Sequence, residues 1–455
     1  MPTQPTIDIT QFIDRRPLSA YQIVIVVLCF LIVAFDGADT AAIGFIAPAI
    51  SAQWQLTHAD LAPLFGAGLA GLMAGAFVFG PMADRFGRKR VLLFCVLGFG
   101  LGSIACAFAG SLGQLLVLRF LTGLGLGGAM PNAITLTSEL CPGKRRSFLV
   151  TTMFCGFTIG SALGGLASAH LVEQHGWRSV LLLGGTLPLL LMPFLLWKLP
   201  ESVRYLVLRG GQTGRVAATL RSIAPDEQIS PTATFVADRP VPGSPVARLF
   251  KSDLMRGTLL FWLIFFMGLL VIYMLTSWLP ILLRSTGTSL KTAALVTMMF
   301  QLGGTFGAII LGWLMDRVNP HYVLAVSYTL AGLFVAAIGS LTASPWLAGA
   351  AVFAAGFGVS GSQVGAYALS AAFYPTNCRA TGVSWANGVG RLGSVIGSVG
   401  GGAMLSVGLG MPALFCLVGI PAVIAGGAML TLGRHRTVQG AAAAEVSPEM
   451  AAATR

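Results

Sequence analysis

Four ionisable residues lie deep inside apolar runs of a chain that is 55% hydrophobic and only 10% charged. Asp36 and Asp39 share the run Tyr21–Ile46, Arg119 lies in Leu112–Leu140, and Arg391 lies in Ala380–Val407. Placing such a side chain in hydrocarbon costs about 2.5–3.5 kcal/mol, so each is expected to be neutralised or used. The two aspartates are three residues apart, which puts both carboxylates on one helix face. Two acids so close in a low-dielectric site cannot both ionise cheaply, so one is expected to take up a proton. Asp36, Asp39 and Arg119 are therefore the candidate proton-coupling set. The competing reading is that the aspartates only brace an unwound stretch beside Gly37. Arg391 offers a planar two-pronged donor suited to a carboxylate. Gln363, Tyr367, Trp385 and Asn387 are the accompanying candidates for ring stacking and hydroxyl recognition. Against that stand a structural ion pair for Arg391 and plain packing or lipid contact for the aromatics.

These residues require membrane-spanning helices to position them. A mean hydropathy of +0.81 removes the chain from the soluble class. Apolar runs of bilayer-spanning length fall near Tyr21–Ile46, Asp60–Ala83, Arg90–Ala109, Leu112–Leu140, Ser147–His170 and Val180–Trp197. Six more lie near Gly257–Leu283, Thr292–Met315, Tyr322–Leu341, Trp346–Phe373, Ala380–Val407 and Pro412–Leu432. The expected fold is all-α, with twelve transmembrane helices in two six-helix halves. Residues 1–198 and 257–433 form the halves, 199–256 a central cytoplasmic loop and 434–455 a cytoplasmic tail. Pro225, Pro231, Pro240, Pro242 and Pro245 are expected to limit regular structure in that loop.

Of the 28 lysines and arginines, 23 lie at the two termini or in loops after even-numbered spans. Basic residues are retained in the cytoplasm, so both termini are expected there. On that topology the two acids lie within about 15 Å of the outer end, Arg119 about 10 Å from it, and Arg391 about 16 Å from the inner end. A net charge of +12 thus reflects topology, and no nucleic-acid partner is implied. Seven scattered cysteines without a CxxC pair exclude a disulfide scaffold or zinc site as the default. No GxxxxGK[ST] loop for ATP occurs. Glycines 156, 160, 164 and 165 repeat at a spacing that lets helices approach closely. The stretch Gly80-Pro-Met-Ala-Asp84-Arg85 is echoed by Gly312-Trp-Leu-Met-Asp316-Arg317, and Pro142…Arg146 by Pro375…Arg379. Such an internal repeat is a recurrent feature of transporters.

The loop Gly80-Pro-Met-Ala-Asp84-Arg85-Phe-Gly87-Arg88-Lys89-Arg90 resembles the signature loop of the major facilitator superfamily. Leu118-Arg119-Phe-Leu-Thr-Gly123-Leu-Gly125 resembles its span-four motif. Asp36-Gly-Ala-Asp39 and the segment from Arg379 to Arg391 resemble the aromatic acid:proton symporters within it. The resemblance covers essentially the whole chain. It implies import of a small aromatic acid with protons across the bacterial inner membrane, driven by the proton gradient with no other cofactor. The protein is expected to act as a monomer in the lipid bilayer and not as an enzyme. It also implies a cytoplasmic gate made of Asp84, Arg85, Gly87, Arg88 and Lys89, with Glu139 and either Arg145 or Arg146 as partners. Asp316, Arg317 and Arg379 are the second-half counterparts, although the second loop lacks the glycine and most of the basic run. Pro200-Glu-Ser-Val-Arg204 resembles a sugar-porter motif and keeps a sugar as a competing substrate. Drug exporters of the superfamily carry a proline where Ser161 follows Gly160 here, which favours import. A receptor built on a transporter fold is the remaining, non-transport alternative.

Overall fold

The computed structural model describes residues 6–452, apart from 211, 228, 230–232, 238–244, 252–253, 343, 375–377 and 407–408. The first six spans are α2 (Ala20–Trp54), α3 (His58–Phe86), α4 (Arg88–Ala107), α5 (Leu112–Leu140), α6 (Gly143–His175) and α7 (Trp177–Lys198). The last six are α11 (Met255–Ser285), α12 (Leu290–Met315), α13 (Pro320–Leu341), α14 (Pro345–Phe373), α15 (Arg379–Ser406) and α16 (Met411–Ala452). Eleven of the twelve are long and apolar enough to cross a membrane, α16 through its Met411–Arg434 part. The exception is α15, whose 28 residues are diluted by Arg391 and by many glycines and serines. A helix is the form in which each span can pair its own backbone groups without water. Side chains close the starts: Ser19 with Gln22 and Thr57 with Asp60 each form reciprocal caps on α2 and α3.

The chain divides into two compact units, Met1–Pro242 with Thr276–Met298 and Gly243–Leu275 with Met299–Arg455. In the first, α2 packs on α6, α3 on α5, and α4 on both α5 and α7. Glycines set the closest crossings. A Cβ on Gly37 or Gly160 would fall on the carbonyls of Phe157 or Ala34, locking α2 against α6. Ser161 adds a hydrogen bond across the same seam, donating to the Gly37 carbonyl at 2.8 Å. The Thr276–Met298 segment belongs to this unit through Trp278, edge-on to Phe65 at 5.0 Å, and Ala294, which packs with Ala41, Phe45 and Ala169.

The central loop is more ordered than its prolines led us to expect. It contains α8 (Val203–Arg209), α9 (Thr213–Ile223), β2 (Thr234–Val236) and α10 (Pro245–Leu249). The prolines fall at or after residue 225, leaving the preceding segment free to coil, and Val216, Ala217, Leu220 and Ile223 give α9 a buried face. Pro231, Pro240 and Pro242 lie outside the described residues. The amino-terminal arm forms β1 (Thr6–Asp8) and α1 (Ile9–Asp14), and β1 pairs in parallel with β2. Ile9 and Ile13 join Leu199, Val203, Leu206 and the α9 face in one apolar cluster. Asp14 accepts from the Gly143 amide at 2.7 Å and from Arg146 at 2.9 Å, and Arg16 pairs with Glu227. Strand, ion pairs and apolar cluster together tie the arm and loop to the end of α5 and the start of α6.

Candidate functional site

The first unit holds a buried charge cluster. Asp39, 1% exposed, receives Arg119 Nη1 at 3.1 Å on Oδ2, and Arg119 is 3% exposed. The second Arg119 nitrogen donates to the Asp39 backbone carbonyl at 3.2 Å. Ser103 on α4 donates to the other carboxylate oxygen at 2.7 Å, so three helices converge on one acid. Such charge-assisted bonds are the strong ones in a low-dielectric setting. Asp36 is equally buried and accepts from Thr40 Oγ1 at 3.1 Å, one turn along α2. Both aspartates lie in unbroken helix next to the Gly37 crossing, so α2 is not unwound there.

The second unit gathers phenols around a guanidinium. Arg391 Nη1 donates to Tyr273 Oη at 2.8 Å, and Tyr367 donates to Asn387 Oδ1 at 2.6 Å. Phe265 stands edge-on to Tyr367 at 4.7 Å. Tyr328 donates to Gln363 Oε1 at 3.0 Å, which fixes the amide so that Nε2 is left to donate elsewhere. Asn387 and Arg391 are four residues apart and share a face of α15. Trp385, offered with them by the sequence, does not join them. It is six residues from Arg391, roughly 240° around a helix of 3.6 residues per turn, and stacks on Trp262 at 5.9 Å while 44% exposed. Paired tryptophans near helix ends are the pattern of an interfacial belt.

A third cluster sits where α3, α4 and α5 meet the segment after α7. Arg88 pairs with Glu139 at 2.9 Å and donates to Ser202 Oγ at 2.8 Å, while Ser202 donates to Glu139 at 2.5 Å. Asp84 meets Arg88 at 3.2 Å from a side chain that is 75% exposed, a geometry worth little in water. Gly87 adopts φ +103°, where a side chain is strained, and a Cβ would strike the Glu201 carboxylate. Glu201 accepts from the Lys89 and Ser202 amides at 3.0 and 2.9 Å, capping the start of α4 from a distant loop. The Arg85 carbonyl accepts from Tyr205 Oη at 3.3 Å. Arg146, one of the two arginines expected in this gate, instead pairs with Asp14. The second copy is not assembled alike. Asp316 and Arg317 are exposed, Arg317 stacking over Trp313 at 4.0 Å, with no ion pair to either among the described residues. The Arg379 side chain and Pro375 lie outside the described residues.

The model of the Major Facilitator Superfamily matches residues 29–286 and 261–451. The chain belongs to that superfamily. Among curated relatives, the gallate transporter of Pseudomonas putida is 49% identical over 437 residues, 96% of this chain and 97% of that protein. The 4-hydroxybenzoate transporter PcaK of Pseudomonas aeruginosa is 47% identical over 435 residues, 95% of this chain and 97% of that one. Among solved structures, the Escherichia coli xylose transporter XylE, partially occluded and inward open, superposes with a TM-score of 0.70 at 18% identity, covering 91% of this chain and 98% of that one. This last likeness concerns the fold alone.

As a multi-pass transporter of the superfamily, the chain places its buried polar groups where a sequence pattern only partly announces them. Ser103, Tyr273 and Tyr328 complete the two intramembrane clusters, yet none was singled out by type or spacing. A serine among the small residues of α4 carries no signal. The two tyrosines had one, since a phenol inside an apolar run needs a partner for its hydroxyl.

Proposed function

We propose that this transporter imports an aromatic carboxylic acid together with protons across the bacterial cytoplasmic membrane, as a monomer with both termini inside. The observation that supports it best is the division of the buried chemistry. Arg119 is paired with Asp39 in the first unit, whereas in the second the half-buried Arg391 guanidinium stands with the Tyr273 hydroxyl and one turn from the Tyr367–Asn387 pair, a setting of ring and hydroxyl chemistry. In this reading the planar Arg391 fork receives the substrate carboxylate, and a proton taken up within the Asp36/Asp39 pair balances the charge the substrate brings. Crossing with unmatched charge would add several kcal/mol to the barrier, which couples proton to cargo. The Tyr367–Asn387 pair and the Gln363 amide suit hydroxyl groups on the ring, and Phe265 offers it an aromatic edge. The names of the relatives, gallate and 4-hydroxybenzoate transporters, agree with a hydroxylated benzoate. The Arg88–Glu139–Ser202 cluster, with Asp84, Arg85 and Gly87, is the cytoplasmic gate in this reading. Asp316, Arg317 and Arg379 serve a weaker second gate. Energy comes from the proton gradient without a further cofactor.

The test is uptake of labelled 4-hydroxybenzoate into proteoliposomes under an imposed inside-alkaline pH gradient. The unmodified protein should accumulate substrate, and Asp39→Asn and Arg391→Ala should not. Accumulation indifferent to the gradient overturns the reading.

A further inference from the structure

A small cavity lies between α2, α3 and α5, lined by Thr40, Ile43, Leu64, Phe65, Gly68, Leu69, Leu72, Leu126 and Arg119. Its volume of about 20 Å³ is enough for a single water. Two polar groups border it. Arg119 Nε is buried and meets no acceptor among the described residues, although both terminal nitrogens of the same guanidinium are engaged by Asp39. A buried N–H left without an acceptor costs about 1–3 kcal/mol, so an unfilled demand points into this space. Thr40 supplies the second group, and its hydroxyl proton is already given to Asp36. The oxygen therefore has lone pairs left to accept.

We infer that one ordered water occupies this cavity, accepting from Arg119 Nε and donating to Thr40 Oγ1, and so couples the protonation of Asp36 to the Asp39–Arg119 pair. The inference rests on the proton-symport reading for its purpose, though not for the water itself. With Asp36 ionised, Thr40 donates to it, the water donates to Thr40, and the water's lone pair holds Arg119 against Asp39. With Asp36 protonated, the carboxyl becomes a donor and Thr40 turns its own proton towards the water. The water then reorients, and its grip on Arg119 Nε weakens. Thr40 and Gly68 are thus positioning residues. The titratable or charged groups beside the guanidinium are Asp39 from α2 and Cys106 from α4, while Asp36 meets Thr40 one turn along α2. α3 contributes no such group to the cavity lining.

Gly68 provides a clean perturbation. A Cβ there would sit 3.7 and 3.8 Å from Arg119 Nη2 and Nε, an ordinary contact that occupies the water's space without collision. Unmodified protein, Thr40→Val, Thr40→Ser and Gly68→Ala are compared in proteoliposomes by gradient-driven uptake and by counterflow, which needs no net proton movement. The expected result is a fall of about tenfold in the ratio of gradient-driven uptake to counterflow for Thr40→Val and Gly68→Ala, the scale of one hydrogen bond to a charged group. Thr40→Ser should keep the unmodified ratio. Ratios unchanged in both Thr40→Val and Gly68→Ala overturn the inference. Infrared difference spectra in oxygen-18 water give a second readout, with a buried-water band present in unmodified protein and lost in Gly68→Ala. Absence of that band from unmodified protein overturns the inference even if the variants do not transport. Loss of gradient response in unmodified protein removes the symport reading, and with it the coupling role, while the band still decides the water.

Discussion

Replacing Arg119 by methionine should destabilise the protein far more than replacing Arg119 and Asp39 together. The structure sets the scale. The pair meets at 3.1 Å with exposures of 3% and 1%, so neither charge can turn to solvent when its partner is removed. Arg119→Met leaves a carboxylate supported only by Ser103 and its neighbours, and breaking a buried pair from one side costs about 3–5 kcal/mol. Asp39→Asn leaves the guanidinium stranded at similar cost. The double variant leaves no charge behind, and a buried pair replaced by neutral groups is often near neutral in stability. Its loss should therefore be about 1–2 kcal/mol, well below the sum of the two single losses. The assay is reversible unfolding in mixed micelles of increasing denaturing detergent, followed by tryptophan fluorescence for all four proteins. All three variants should fail to accumulate substrate, so stability and transport part company in the double variant. Single losses that simply add in the double variant refute the reasoning, because the two side chains would then carry no mutual energy.

Three further outcomes follow from the geometry. Arg391→Lys keeps the charge but loses the planar fork and the Tyr273 contact, so 4-hydroxybenzoate binding measured by calorimetry should weaken about tenfold to a hundredfold. Gly37→Ala should destabilise the first unit by about 1–3 kcal/mol, since the added methyl must displace the Phe157 backbone, and thermal unfolding in detergent reads the loss. Cys141, 1% exposed, has its thiol pushed up to about 11 by burial, with Arg146 pulling modestly the other way. Only the thiolate reacts, so maleimide labelling of Cys141 should stay slow at pH 7.5 and rise steeply only as the pH approaches that value.

Much of the first cluster was legible because charge inside an apolar run is rare and costly, so Asp36, Asp39 and Arg119 announced themselves. Their depths, both measured from the same membrane face, were compatible with the Asp39–Arg119 pair that the structure contains. Ser103 was not legible, since a single hydroxyl is affordable almost anywhere in a span. The parallel pairing of Thr6–Asp8 with Thr234–Val236 was hidden for another reason. Two three-residue strands more than two hundred residues apart leave no periodic trace, and their register is set by the apolar cluster beneath them. Trp385 misled because residue type was read without its helical angle. The Arg88 cluster was visible in part through Asp84, Gly87 and Arg88, but the need for Gly87 became physical only when Glu201 appeared where its Cβ would be.

The internal repeat has a structural meaning that the motif echoes only hinted at. Gly160 and Gly164 sit against Ala34 and Ala38 of α2, and Gly393 and Gly397 sit against Phe266 and Leu270 of α11, 233 positions further along. Gly71 and Gly75 meet Phe120 and Leu124, while Gly303 and Gly307 meet Phe353 and Phe357. Gly123 meets Gly68, and Gly356 meets Phe300. In each pairing a Cβ would strike backbone or lie in tight contact with it, so these positions tolerate little and the repeat survives there. The charges are not repeated. The stretch of α11 corresponding to Asp36–Asp39 is apolar from Gly268 to Val271, and Thr158 stands where Arg391 would have its first-half counterpart. The two halves thus keep one backbone scaffold in duplicate and divide the chemistry, two acids with Arg119 in one, Arg391 with tyrosines and an asparagine in the other. Substitutions in the second cluster should then change which acid is carried while leaving proton coupling in place. Exchange of ring preference between gallate and 4-hydroxybenzoate by changes confined to Tyr328, Gln363, Tyr367 and Asn387, at an unchanged proton-to-substrate ratio, is the outcome this division demands. A ratio that moves with the ring preference would show that the chemistry is not divided in this way.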